Sequence, residues 1–109
     1  MSDELIKTTA LFSPCRKWRY TLHRVWDESK PLAMFIGLNP STADEVKNDP
    51  TVSRCISYAK KWGFGGLIMT NIFAYRQTDP KMMKEADDPV GVDNDYWIKK
   101  SAESAGIIV

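Results

Sequence analysis

Cysteine and histidine are almost missing from this chain. Its 109 residues hold two cysteines, Cys15 and Cys55, and a single histidine, His23. Without a Cys-x-x-Cys pair, a structural zinc site has no ligand set, and neither a metal nor a cofactor is expected. A Ser-His-Asp arrangement would have to rest on His23 alone. An excess of charge of one sign is lacking too: 15 basic residues against 14 acidic ones give a net charge of +1, so nothing global demands a nucleic-acid partner. No apolar stretch approaches the roughly 18 residues of a membrane span, and no signal-peptide pattern opens the chain. These absences predict a cytoplasmic protein without membrane contact, in which both cysteines are reduced thiols. Internal repeats and low-complexity segments are absent as well.

What is there is ordinary globular material, 43% hydrophobic and 27% charged, enough for one small domain with a real core. The charge is unevenly spread. Arg16, Lys17, Arg19, His23 and Arg24 form a run without an acid, and Glu85, Asp87, Asp88, Asp93 and Asp95 form one without a base. Either run reads as a solvated face, and the basic one also suits phosphates.

The chain is organised around Leu32–Asp44. Seven uninterrupted apolar or glycine residues, Leu32 to Leu38, break sharply at Asn39-Pro40 into Ser41, Thr42 and Asp44. Such a run reads as a strand buried on both faces, as in a parallel sheet. Ligands of open α/β sheets bind beyond the carboxyl ends of such strands, so a polar, constrained loop stands where a site is expected. Asn-Pro is equally a turn signal.

Upstream, Met1–Ser13 shows no clear period and is expected to fray. Lys17–Trp26 alternates, with Trp18, Tyr20, Leu22 and Trp26 on one face and Arg24 as the exception, which predicts a half-buried strand. Asp27–Pro31 reads as a turn, so this strand should pair antiparallel with Leu32–Leu38. Downstream, Asp49 caps a helix beginning at Pro50, and Val52, Cys55, Ile56, Ala59 and Trp62 share its apolar face. Gly63 ends it. Gly66–Ala74 is the second apolar run and reads as a central strand, with the buried amide of Asn71 as its anomaly. Pro80–Ala86 reads as a short helical turn and Met82-Met83 as packing. Asp93 or Asn94 caps a further helix to about Ser104, and Ile107–Val109 starts a third apolar run. The sequence stops inside that strand, which predicts a single but C-terminally incomplete domain. The order of elements predicts an α/β fold: a three-layer α/β/α sandwich with a mostly parallel central sheet and an antiparallel N-terminal hairpin.

Four motifs in order, WRYTLHRVW, FIGLNPSTAD, NDPTVSRC and GFGGLIMTNIFAYR, resemble a bacterial and phage family catalogued as domain of unknown function 1643. A weaker resemblance points to chemistry. Gly37-Leu38-Asn39-Pro40-Ser41 is similar to the first active-site motif of the uracil-DNA glycosylase superfamily, and Ile68–Ile72 to its second-strand segment. That resemblance implies a glycosylase-like sandwich and hydrolysis of an N-glycosidic bond, with Asn39 positioning the water and Asn71 bonding the pyrimidine. Gly37, Pro40 and Ser41 would line the site. The motif carries Ser41 where those glycosylases more often have glycine, and their later His-Pro wedge has no counterpart in this sequence.

Other residues carry two readings each. Asp44, Glu45 and Asp49 are candidates for a general base, Asp44 first, for metal ligands, or for helix capping. Arg54 and Arg76 suit phosphate contact or simple solubility. Trp18, Tyr20 and Trp26 could stack on bases or fill the core. Three functions follow: a glycosylase-like or DNA-processing enzyme, a non-catalytic module that binds DNA or a nucleotide, and an inactive fragment that forms a homodimer through its exposed C-terminal strand.

Overall fold

A computed structural model describes residues 7–77 and 88–109. The two apolar runs become neighbouring parallel strands. Strand β3 (Leu32–Gly37) and strand β4 (Gly66–Asn71) pair from Leu32↔Gly66 to Gly37↔Asn71, so both strands leave the sheet at the same edge. Helix α1 (Pro50–Lys61) makes the crossover between them. Its start is fixed as the sequence predicts: Pro50 occupies the first turn and the Asp49 carboxylate accepts the Val52 N–H. Gly63, at φ +84°, terminates it in the left-handed conformation that glycine adopts without strain. Val52 and Ala59 pack against Ala33, Phe35, Leu67 and Met69, with Cys55 and Ile56 at the margin. Trp62 stays half exposed but stacks on Phe35 and Tyr58.

The sheet is mixed, and its strand order differs from the expected one. Strand β1 (Lys7–Phe12) pairs antiparallel with β2 (Arg19–Val25), which corrects the expected fraying for that part of Met1–Ser13; residues 1–6 lie outside the described residues. The order is β1-β2-β4-β3-β5, so β2 pairs antiparallel with β4 and the predicted hairpin between β2 and β3 does not form. The N-terminal hairpin is β1–β2 instead, and the five strands make equal numbers of parallel and antiparallel pairings rather than a mostly parallel sheet. The reason lies in the Asp27–Pro31 turn. It closes over Gly65: Trp26 and Asp27 both donate to the Gly65 carbonyl, and Gly65 N–H donates to Pro31. A Cβ on Gly65 would stand 1.9 Å from the Asp27 oxygen, so only glycine lets β4 enter between its neighbours. Strand β4, buried along its whole length, gains a partner on each side.

Strand β2 is also buried on both faces rather than one. Leu11 pairs with Thr21 and Phe12 with Arg19, so Tyr20 is an extra residue, a β-bulge. Beyond the bulge the alternation inverts. Trp18 and Tyr20 turn to Gly91, and Arg19 joins Leu22 and Arg24 on the face covered by the 39–49 loop.

Helix α2 (Asn94–Ser104) contacts β2, β4 and β3, with Asp93 at its cap position but no side-chain cap bond. Strand β5 (Ile107–Ile108) then pairs parallel with β3 on its outer side. The fold is thus a mixed α/β domain with a five-stranded sheet and two helices among the described residues. The predicted turn at Pro80–Ala86 and the Met82-Met83 packing lie outside them. No described helix is long and apolar enough to cross a membrane.

Candidate functional site

At the shared edge, Gly37 and Asn71 sit side by side. The Asn71 amide nitrogen lies 2.8 Å from where a Cβ on residue 37 would stand, so glycine at that position makes room for the amide. Its oxygen accepts from Arg19 Nη2 at 3.3 Å, which turns the NH2 toward Gly37. From α2, the buried Asn94 donates its amide to the carbonyls of Asn71 and Ile72 and fixes the strand end.

Loop 38–49 covers this edge. The Asn39 amide nitrogen donates to the carbonyls of Pro40 and Gln77, tying the loop to the segment after β4. The result is an inner cleft of about 200 Å³, lined by Arg19, Gly37, Leu38, Asn39, Pro40, Ser41, Asp49, Thr51, Val52, Met69 and Asn71. An outer cleft of about 320 Å³ adjoins it at Ser41 and is lined by Arg16, Lys17, Ser41, Thr42, Tyr75, Arg76 and Gln77. The Tyr75 ring there is held edge-on by Trp18 at 5.5 Å.

The residues singled out from sequence divide cleanly. Gly37, Asn39, Pro40, Ser41 and Asn71 come together in the inner cleft, and Arg76 lines the outer one. Asp44 lines neither. Its carboxylate accepts the N–H groups of Lys47 and Val46, which hold its pKa below the usual carboxylate range and close a local turn. Glu45 makes a bidentate pair with Arg16 that lowers its pKa to about 2. Arg54 sits on the exposed side of α1, outside both clefts. Among the described residues no group of three or more His, Cys, Asp or Glu is arranged to hold a metal ion.

Arg19 is the residue that sequence reasoning missed. It and Arg24 are both almost fully buried on the same sheet face, yet their surroundings differ. Arg24 uses all five N–H donors: Nε to the Asn48 side chain, Nη1 to the Thr9 and His23 carbonyls, Nη2 to those of Asp44 and Lys47. It clamps the loop. Arg19 makes two bonds, to the Ala43 carbonyl at 3.1 Å and to Asn71, and its buried Nε has no partner. Burial, the largest influence, lowers its pKa to about 10; Asp49 opposes the shift and the nearby cations Arg76 and Arg24 add to it. Arg19 therefore remains a cation at neutral pH. Asp49 is itself engaged, with one oxygen on Val52 N–H and the other near Ala43 N–H at 3.4 Å. The ion pairs formed among the described residues, Arg16–Glu45 and Lys30–Asp27, involve neither Arg19 nor Arg24.

Residues 19–109 match the family described as "Protein of unknown function (DUF1643)", and the chain belongs to it. No curated protein and no solved structure matches the chain.

Proposed function

With that membership as the premise, we propose that the chain binds a nucleotide across the two adjoining clefts. The observation that carries this is their meeting at Ser41: hydrogen-bonding groups on Arg19, Asn39 and Asn71 lie on one side, and Arg16, Lys17 and Arg76 with the Tyr75 ring lie on the other. A nucleotide is a flat polar ring joined to an anion. Cations and amides bind the anion, and an aromatic ring stacks on the base. The test is calorimetric titration with nucleoside 5′-monophosphates at low and high salt. Saturable binding that weakens with salt and in Arg76→Ala is expected. No binding by any of the common monophosphates at millimolar concentration refutes the proposal.

A second reading is hydrolysis of an N-glycosidic bond in DNA, in a three-layer arrangement like that of uracil-DNA glycosylases. It is favoured by one observation, that Asn39 and Asn71 line the same cleft. In that reading Asn71 holds a flipped pyrimidine and the Asn39 oxygen orients water. It requires strand scission by alkali after incubation with DNA carrying uracil or modified pyrimidines, and its loss in Asn39→Ala. The absence of scission across such a panel would eliminate it.

A further inference from the structure

We propose that the inner cleft takes the phosphate of the bound nucleotide, on Arg19, while its base lies in the outer cleft against Tyr75. This rests on the nucleotide reading and gives it a direction, opposite to the one hydrolysis needs.

The two buried arginines differ in how their donors are met. A buried guanidinium is stable when its five donors are matched, and Arg24 meets that condition. Arg19 does not: its Nε is unpartnered, and among the described residues no carboxylate forms an ion pair with it. The bulge at Tyr20 is what turns it inward to line the cleft. Beside it, the Asn71 amide is fixed with its oxygen on Arg19, so the group it presents toward Gly37 is a donor. Thr51 and Val52 bring the N-terminal turn of α1 to the same wall, where the helix dipole favours negative charge. Beside the apolar side chains of Leu38, Pro40, Val52 and Met69, the polar groups that Arg19 and Asn71 bring to the cleft are thus donors, and they suit a group made of acceptors. Asp49 is the opposing charge, and its oxygens already face the N–H groups of Val52 and Ala43. Around Arg19 the near charges are Asp49 against Arg76 and Arg24, so the local balance stays positive. A base edge is a poorer match. Most such edges mix donors with acceptors, and a ring N–H would meet the guanidinium head-on. The outer cleft supplies the aromatic face a base needs, Tyr75, braced by Trp18.

The test uses the wild-type protein, labelled with 15N and titrated separately with inorganic phosphate, uridine and uridine 5′-monophosphate. Phosphate alone is expected to shift the signals of Gly37, Thr51 and the Asn71 side-chain amide. The monophosphate is expected to shift these and also Tyr75 and Gln77, and to bind at least about tenfold more tightly than uridine, the worth of one charge-assisted contact. Arg19→Gln should weaken phosphate by about tenfold or more, with Arg19→Lys retaining part of the affinity. Phosphate shifts confined to Lys17, Arg76 and Gln77, or uridine shifting Gly37 and Asn71 as the monophosphate does, would overturn the assignment and leave nucleotide binding standing. If none of the three ligands gives a saturable change, the phosphate assignment fails, and the nucleotide reading fails with it when the other common monophosphates do not bind either.

Discussion

Replacing each buried arginine by methionine should have unequal consequences for stability. Arg24→Met removes bonds of 2.6–3.4 Å to the Asp44, Lys47, His23 and Thr9 carbonyls and the Asn48 side chain. Each acceptor stranded without water costs about 1–3 kcal/mol. Lys47 and Asn48 are exposed and can turn to solvent, and the Thr9 bond is long at 3.4 Å, which leaves about two fully effective losses, at Asp44 and His23. The expected destabilisation is about 3–5 kcal/mol, in the range found when a buried network loses one member. Arg19→Met breaks two longer bonds, 3.1 and 3.3 Å, and removes a desolvated cation that no described carboxylate pairs. The stranded acceptors on Ala43 and Asn71 cost about 1–3 kcal/mol each, and removing the desolvated charge offsets much of that, so the net change should lie within about 2 kcal/mol of zero. Equilibrium urea unfolding measures both, with the two transitions compared at a common slope. The reasoning is refuted if Arg19→Met is as destabilising as Arg24→Met, because Arg19 would then be a structural residue like its neighbour rather than one held ready for a ligand.

Three further outcomes follow. Gly37→Ala sets a Cβ 2.8 Å from the Asn71 amide nitrogen, so ligand affinity should fall while stability drops by about 1–3 kcal/mol; titration and urea unfolding of the same sample separate the two effects. Asp49→Ala loses the cap on Val52 N–H and should cost about 1–2 kcal/mol in a denaturant midpoint, with Asp49→Asn recovering much of it. His23 has its pKa lowered from 6.5, first by burial and then by Lys7. Its unfolded form thus binds more protons just below pH 6.5, so its contribution to stability is complete above that pH and is lost as pH falls toward the depressed folded value. Chemical denaturation from pH 7 to pH 5 should show the decline, and His23→Gln should flatten it.

Much of this architecture is written in local signals. Asp49-Pro50 and the spacing of Val52, Ile56 and Ala59 specify α1, and the apolar runs specify β3 and β4, because capping and burial on both faces act within a few residues. The convergence of Gly37, Asn39 and Asn71 follows from two parallel strands ending together. What could not be read is non-local. The Asp27–Pro31 turn has hairpin chemistry, yet the strand it would pair with β3 is displaced by β4, which arrives about thirty residues later through the gap at Gly65. The bulge at Tyr20 carries no glycine to announce it, and simple alternation places Arg19 on the face away from Tyr20 and Leu22. One signal was present. Arg24 interrupts an otherwise apolar face, and an arginine on such a face marks a buried polar network beneath a loop, the place where a second buried arginine is best sought.

The central claim is that the clefts at the ends of β3 and β4 form one nucleotide site. Its most direct test is a 15N titration of the whole chain with a nucleoside 5′-monophosphate, read at Gly37 and Asn71 in the inner cleft and at Tyr75 and Gln77 in the outer one. A single saturable curve shared by all four residues is predicted. Shifts that saturate at different concentrations in the two clefts, or that arise around Tyr96 and Glu103 on α2 instead, would contradict it.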